Sequence, residues 1–209
     1  METDIHDPTQ FETTVYHEDC AEFEEVRELC LAEGNWLSHN FSRARLSISQ
    51  HSGFAVIWDK RTKEPAAFAG IYRNEKLFPK NVARIGNRTY YFPKYRSRSY
   101  SGFIKQWKLG WTHVVEPLKQ INDFDCYFMS MQNRQKKKTK GYFDLIFEAL
   151  QEVSKGWNKH DKYLQTCPFP VQNCWQNFAY LEMTPGAFKQ WSPVTIDHSE
   201  WLKLNKGDN

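Results

Sequence analysis

The chain has 209 residues, which is the size of one large domain and too few for two, and its formal net charge is +3. Hydrophobic residues make up 40% of it, including 15 Phe, 10 Tyr and 8 Trp, so a sizeable core is expected and disordered or collagen-like classes are excluded. Its apolar runs fall far short of the roughly 18 residues that cross a bilayer, and residues 1–25 hold no apolar signal core, so we expect a soluble, cytoplasmic protein without membrane contact.

The first 33 residues are strongly acidic. They contain eleven acids and one base, a net charge of −10, which leaves +13 for residues 34–209. The sequence predicts a polar arm over residues 1–12 and a first strand over 13–16. Apolar positions then recur at helical spacing behind a capping box that starts at Asp19, which predicts a helix over 19–33.

A weaker helical pattern occurs at 41–48, and two pairs of apolar runs come after it in the chain. The runs 54–58 and 66–72 flank a charged turn and predict an antiparallel hairpin. The runs 82–85 and 88–92 flank a Gly-Asn pair and predict a second hairpin.

The next feature is a strand followed by a basic loop and a helix. A helical pattern at 100–121 leads into 124–131, which is almost continuously apolar, as a strand buried on both faces is. The loop 132–140 carries five bases, and Gly141 opens a helix. Backbone NH groups at a helix start have no intrahelical acceptor and the helix dipole is positive there, so the pattern predicts an anion site. A solvated basic loop without a ligand has the same pattern.

The last quarter predicts a strand at 163–167, a short helix at 170–181 and one or two closing strands near Pro185 and Pro193, before a polar tail at 205–209. Strands alternate with helices in this half of the chain. The predicted fold class is therefore α/β, an α+β mixed sheet with helices packed on it.

This order of elements resembles the GCN5-related N-acetyltransferase (GNAT) family over residues 13–204, taken as a single domain, with 77–121 as a basic, aromatic insertion before the central strand. In that family a pyrophosphate loop of the form R/Q-x-x-G-x-G/A follows the central strand at the head of a helix. The resemblance implies that the end of the 124–131 strand and the loop after it bind coenzyme A, through Met129, Met131, Arg134, Lys136, Lys138, Thr139, Lys140 and Gly141. Gly141 alone matches the motif, and the Cβ of Thr139 stands where the family's middle glycine lets a pyrophosphate approach the backbone.

A second motif of the family, N-x-x-A/S-x-x-hydrophobic-Y, resembles the segment from Asn173 to Tyr180, with Gln176 in place of the small residue. The resemblance implies that Asn173 holds the pantetheine side of acetyl-CoA and that Tyr180 protonates the departing thiolate. A phenol with a pKa of about 10 can do so within hydrogen-bond reach. A tyrosine packed under the last strands is the competing interpretation.

The implied activity is the transfer of an acetyl or related acyl group from acetyl-CoA to an unidentified amine. The general base is not identified. Three carboxylates stand at predicted strand ends where the family often places one, and each also suits a turn or a cap: Glu64, Asp123 and Asp125.

The alternative is a catalytically degenerate protein of the GNAT fold. It would serve as a binding or structural component of a viral particle or a nucleic-acid assembly. Residues 73–108 hold ten bases against one acid, and 134–140 hold five bases. Interleaved aromatics could stack bases beside those charges, or could instead fill a core: Tyr90, Tyr91, Phe92, Tyr95 and Tyr100. The oligomeric state is not predicted.

The five cysteines are widely and irregularly spaced, so neither a disulfide framework nor a zinc knuckle is predicted. Cys167 and Cys174 with His160 would suit a metal or nucleophile cluster, but buried, reduced thiols are the commoner case. No metal is expected.

Overall fold

The computed structural model describes residues 7–33, 46–48, 51–73, 78–96, 105–106, 108–110, 112–114, 117, 124–131, 142–165, 175–191 and 193–204. Their strands are β1 (Phe11–Tyr16), β2 (His51–Asp59), β3 (Pro65–Tyr72), β4 (Val82–Tyr91), β5 (Cys126–Met131), β6 (Asn158–Gln165), β7 (Trp175–Glu182) and β8 (Thr195–Ile196). Their α-helices are α1 (Ala21–Ala32), α2 (Tyr142–Val153), α3 (Ala187–Trp191) and α4 (His198–Leu204). In these ranges no helix is long and apolar enough to cross a bilayer.

The chain divides into two compact units, Met1–Asn74 with Ile85–Asp123, and Glu75–Arg84 with Phe124–Asn209. The first unit has the strand order β1-β2-β3-β4, and β1–β2 and β2–β3 are antiparallel. The second unit has the start of β4 and then the order β5-β7-β6-β8. There β4 and β5 are parallel, whereas β5–β7, β6–β7 and β6–β8 are antiparallel. The predicted α/β class with a mixed sheet is confirmed.

In the first unit α1 covers one face of the sheet. The Phe23 ring lies 5.5 Å from the Tyr16 ring and 5.0 Å from the Phe54 ring, measured between centroids. The predicted helix is confirmed, but its capping box is wrong, because Cys20 is the N-cap and makes no side-chain cap hydrogen bond. Asp19 instead pairs at 2.8 Å with the buried Arg27.

The helical residues between 105 and 117 belong to the other face of that sheet. His113 Nδ1 shares a 2.9 Å hydrogen bond with the Thr13 hydroxyl, and its Nε2 lies 3.0 Å from the carbonyl of Pro8. Thr13 pairs with Ile57 in the β1–β2 register, so both point to the same face, opposite Phe54. The helical pattern read at 100–121 is confirmed at these residues.

The second unit has an aromatic core on one face of its strands. The Trp191 ring of α3 lies 4.8 Å from Phe128 and 5.9 Å from Phe78. Phe128 and Phe178 are fully buried on neighbouring strands of this face. The predicted strand at 124–131 and the helix after Gly141 are confirmed as β5 and α2.

Two sequence predictions are wrong in the middle and at the end of the chain. The runs 82–85 and 88–92 form the single strand β4 and no hairpin, because Gly86 takes φ 72° and kinks the strand without reversing it. The segment predicted as a helix at 170–181 contains β7, whose aromatic side chains pack against β5 and β6 on both sides.

Cys20, Cys30 and Cys126 are free thiols. Burial is the largest cause that raises the pKa of Cys30 and of Cys126 to about 12, so both stay protonated and inert at neutral pH. Cys167 and Cys174 lie outside the described residues. Across the described part of the chain no group of His, Cys, Asp and Glu is arranged to hold a metal ion.

Candidate functional site

The basic loop predicted from the sequence lies outside the described residues, as does Asn173. This holds for the predicted coenzyme A contacts of that loop: Arg134, Lys136, Lys138, Thr139, Lys140 and Gly141. The elements on either side are as expected, since β5 ends at Met131 and α2 begins at Tyr142. Met129 is buried and Met131 is half-buried in β5.

The structure adds a second loop of the same kind after β4. β4 has ten residues, and Val82–Arg84 pairs in parallel with Cys126–Phe128 of β5. The connection between the two strands contains helical residues at 105–106, 108–110, 112–114 and 117. Residues 92–96, the described part of the segment that follows β4, leave the carboxyl end of one strand of a parallel pair, where ligands of α/β sheets bind.

Sequence reasoning missed this loop because it read 82–92 as a hairpin inside an insertion. The sequence signal for this loop is the segment R-S-R-S-Y-S from Arg96 to Ser101. It has the spacing of R/Q-x-x-G-x-G/A, with serine at both glycine positions. Serine is the smallest side chain after Gly and Ala. The structure describes this loop as far as Arg96.

Arg96 is fixed at the start of that loop. Its Nε donates to the carbonyl of Tyr91 at 2.7 Å, and its Nη2 lies 3.4 Å from Glu33 Oε2. The guanidinium lies 4.9 Å from the centroid of the Tyr90 ring, and the Tyr90 hydroxyl donates to the same Glu33 oxygen. Burial is the main cause that raises the pKa of Tyr90, so its hydroxyl remains a donor. The carboxyl end of β4 is thus tied to the end of α1.

Tyr180 lies on β7 and not on a helix, so the motif that suggested it does not have the expected geometry. It pairs with Phe128 of β5, and its ring stacks on Phe188 with a centroid separation of 3.8 Å and an interplanar angle of 8°. The side chain is half-buried, and burial is the largest cause that raises its pKa. No hydrogen bond to a described residue engages its hydroxyl. Its catalytic role stays a prediction.

Two of the three candidate general bases, Glu64 and Asp125, lie in the described part of the chain, and both accept hydrogen bonds at turns. Asp125 accepts hydrogen bonds from Thr184 at 2.5 Å and Asn81 at 2.7 Å, which hold the pKa of its carboxyl below the usual value. Glu64 pairs with Lys94, whose hydrogen bond lowers the pKa of that carboxyl. A lowered pKa makes each a weaker base at neutral pH. Asp123 lies outside the described residues.

A polar cluster in the second unit was not foreseen. Arg84 Nη2 donates to the carbonyl of Ser130 at 3.1 Å and lies 3.4 Å from Gln176 Oε1, to which the Ser130 hydroxyl also donates at 2.8 Å. The three side chains come from β4, β5 and β7, which are neighbours in the sheet. They are up to 92 positions apart in the chain, so no local sequence signal marks them as partners.

The fold that these elements form is the GNAT acyltransferase fold. One solved structure with this similarity is a probable acetyltransferase from Staphylococcus epidermidis, at 10% identity, with 82% of this chain and 99% of that chain covered and a TM-score of 0.50. Another is ribosomal-protein-S5-alanine acetyltransferase from Vibrio fischeri, at 8% identity, 82% and 93% coverage and a TM-score of 0.50. Spermidine N-acetyltransferase from Vibrio cholerae, solved with CoA and spermine, has 7% identity, 83% and 96% coverage and a TM-score of 0.48.

No protein-family model and no curated protein sequence matches the chain. At identities of 8 to 10% the likeness establishes the fold alone.

Proposed function

We propose that the protein is an N-acyltransferase that moves an acetyl or related short acyl group from an acyl-CoA donor to an amine. The observation that carries the proposal is the parallel β4–β5 pair, whose crossover begins with a basic, serine-rich loop in a chain of GNAT fold. Diphosphate binding needs cationic side chains and free backbone NH groups, and loops at strand carboxyl ends that lead into helices provide both.

Two loops compete for the diphosphate. The loop predicted from the sequence follows β5, with Arg134, Lys136 and Lys138 as cationic contacts, Thr139, Lys140 and Gly141 as backbone contacts, and Met129 and Met131 on the strand before it. The loop after β4 offers Arg98, whereas Arg96 is paired with Glu33. The topology favours the loop after β4, because β4 is the strand that crosses over to its parallel neighbour.

The remaining roles follow from the chemistry of acyl transfer. The donor supplies an activated thioester. The amine attacks as the neutral base, its nitrogen forms the new bond to the acyl carbon and then loses one proton to water, and the carbon–sulfur bond breaks with its electron pair on sulfur. Tyr180 is proposed to give its proton to that thiolate, and Asn173 to hold the pantetheine amides. Burial raises the pKa of Tyr180, so its phenol is protonated at neutral pH but is a weaker acid than an exposed tyrosine.

Calorimetry with coenzyme A tests the proposal and separates the two loops. One variant carries Arg134→Glu, Lys136→Glu and Lys138→Glu, and the other carries Arg98→Glu and Ser101→Glu. Charge reversal in the binding loop should weaken the affinity by tenfold or more and flatten its salt dependence. Lys155→Glu with Lys189→Glu, at two exposed lysines outside both loops, is the matched control and should change little. Absence of binding to the wild type at millimolar coenzyme A would remove the proposal.

The nucleic-acid and structural alternative is less well supported. Tyr90, Tyr91, Phe92 and Tyr95 are buried, so they fill the core of the first unit and present no rings for base stacking. Lys94 pairs with Glu64 and Arg96 with Glu33, which reduces the charge available in 73–108. A strongly salt-dependent affinity for nucleic acid, lost on charge reversal at 134–138, would restore this alternative.

A further inference from the structure

The polar cluster of Arg84, Ser130 and Gln176 lies on one face of the sheet within the second unit. Arg84 pairs with Phe128 in the β4–β5 register, and Ser130 is the second residue after Phe128 along β5. Ser130 in turn pairs with Phe178, which is the second residue after Gln176 along β7. Residues that are paired, or that are two positions apart on a strand, point to the same face, so the three side chains of the cluster share one face.

The contacts of this cluster fix the direction of the Gln176 side-chain amide. Arg84 Nη2 donates to the carbonyl of Ser130 at 3.1 Å and lies 3.4 Å from Gln176 Oε1. The Ser130 hydroxyl donates to the same Gln176 oxygen at 2.8 Å. A guanidinium has only donors, so the amide atom that faces it must be the oxygen. The Nε2 group of Gln176, with its two hydrogens, therefore points away from Arg84, and no described residue accepts a hydrogen bond from it.

This amide lies at a position where ligands bind in related sheets. Ser130 is the last residue but one of β5, which has a parallel neighbour, and ligands of α/β sheets bind at the carboxyl ends of such strands. Ser130 and Gln176 are half-buried, whereas Phe128 and Phe178 on the same face are fully buried. The apolar wall lowers the local dielectric constant and strengthens a hydrogen bond that is made beside it.

The two partners of Gln176 Oε1 make the amide a stronger donor. A cation and a hydroxyl that both face the oxygen polarise the amide group, which leaves more positive charge on the Nε2 hydrogens. Such hydrogens bind an ionised acceptor best, because hydrogen bonds to a charged group are shorter and about twice as strong as neutral ones. An ionised carboxylate has acceptor oxygens only, so it places no competing donor against Nε2.

We propose that the Gln176 amide binds the carboxylate of the amine acceptor, so that the acceptor carries both an amino and a carboxylate group. Carboxylate binding stands on the cluster alone. The identification of the bound molecule as the acceptor rests on the proposed function. Gln176 then selects the acceptor and takes no part in the proton transfers.

The test follows the side-chain amide resonance of Gln176 by proton–nitrogen NMR while amines are added to the full chain. Glycine, β-alanine and γ-aminobutyrate are each compared with the corresponding neutral amide at constant ionic strength. At least one of these carboxylates should shift the resonance and bind about tenfold more tightly than its amide. If every amide binds as tightly as its carboxylate, or if no carboxylate shifts the resonance, the proposal is overturned.

Gln176→Glu is the sharpest variant, because a carboxylate keeps both acceptor contacts of the cluster but presents an oxygen where the amide presents hydrogens. It should bind the carboxylates at least about tenfold more weakly, measured at the backbone amide of Ser130, and thermal melting shows whether it is folded. Gln190→Glu makes the same change at an exposed position of α3 and should keep the wild-type affinity.

The variants and coenzyme A binding separate this proposal from the proposed function. Unchanged affinity in Gln176→Glu, or an equal loss in Gln190→Glu, overturns the carboxylate site and leaves the proposed function standing. If the wild type binds the carboxylates but does not bind coenzyme A, the site stands, and its assignment to an acceptor is overturned together with the proposed function.

Discussion

Gly110 is the position where the structure predicts the largest effect of a single added methyl group. An ideal Cβ built on Gly110 would lie 1.8 Å from the Tyr91 hydroxyl oxygen and 3.1 Å from Cζ of that ring. Tyr91 is buried and its hydroxyl is hydrogen-bonded to Gln106, so the ring cannot move aside without giving up that bond. Gly110→Ala therefore forces either a displaced helix or a broken buried hydrogen bond.

The magnitude follows from three opposing contributions. Overpacking costs about 1–3 kcal/mol. An unsatisfied buried polar group costs about 1–3 kcal/mol more. Replacing glycine by alanine in a helix returns about 1 kcal/mol. We expect Gly110→Ala to lower the free energy of unfolding by about 1–5 kcal/mol, measured by urea denaturation with tryptophan fluorescence.

A double-mutant cycle with Tyr91→Phe tests the cause. Removing the hydroxyl removes the atom that the new Cβ meets, so the double variant should be more stable than the sum of the single effects by about 1 kcal/mol or more. Effects that add to within about 0.5 kcal/mol would refute the steric argument. So would a Gly110→Ala protein as stable as the wild type.

Three further outcomes are expected. Arg27→Ala should lower the free energy of unfolding by about 1–2 kcal/mol, because it removes a buried guanidinium that lies over the Phe23 ring and 2.8 and 2.5 Å from Asp19 and Glu24; Arg27→Lys, which keeps the charge, should cost less in the same urea titration. Burial holds the pKa of His113 below its ordinary 6.5, so the unfolded state binds the proton first and stability falls as the pH drops through 6.5; His113→Gln should flatten that part of the stability profile, and an unchanged profile would contradict the reasoning. Tyr180→Phe should lower kcat more than donor affinity, whereas an equal loss of both would indicate a packing role.

Periodicity located the elements that carry a clear apolar pattern of their own. The hairpin of β2 and β3, the helix α1 and the strand β5 were predicted because each carries its own apolar pattern. β7 was read as a helix because its apolar residues fit both periods over so short a run. Its identity is set by β5 and β6 on either side, which lie outside any local window.

The candidate site was harder to predict than the fold class. The Gly86–Asn87 pair is typical of a turn, and only the structure shows that Gly86, with φ 72°, lies within the single strand β4. Because of that misreading, the sequence analysis considered only the loop after β5 as a pyrophosphate loop and overlooked the segment from Arg96 to Ser101. The polar cluster is equally non-local, since Arg84, Ser130 and Gln176 come from β4, β5 and β7.

The second unit consists of two separate segments of the chain, and this affects its folding during synthesis on the ribosome. Asn81 and Asp125, which are joined by a side-chain hydrogen bond, are 44 positions apart, and the strand start Val82–Arg84 finds its parallel partner only when residues 126–128 have emerged. Until then one backbone edge of that segment has no partner within the nascent chain, and such an edge is a template for pairing with other polypeptides. This edge can therefore be protected from aggregation only after residues 126–128 have been synthesised and the chain between the two strands has closed into a loop.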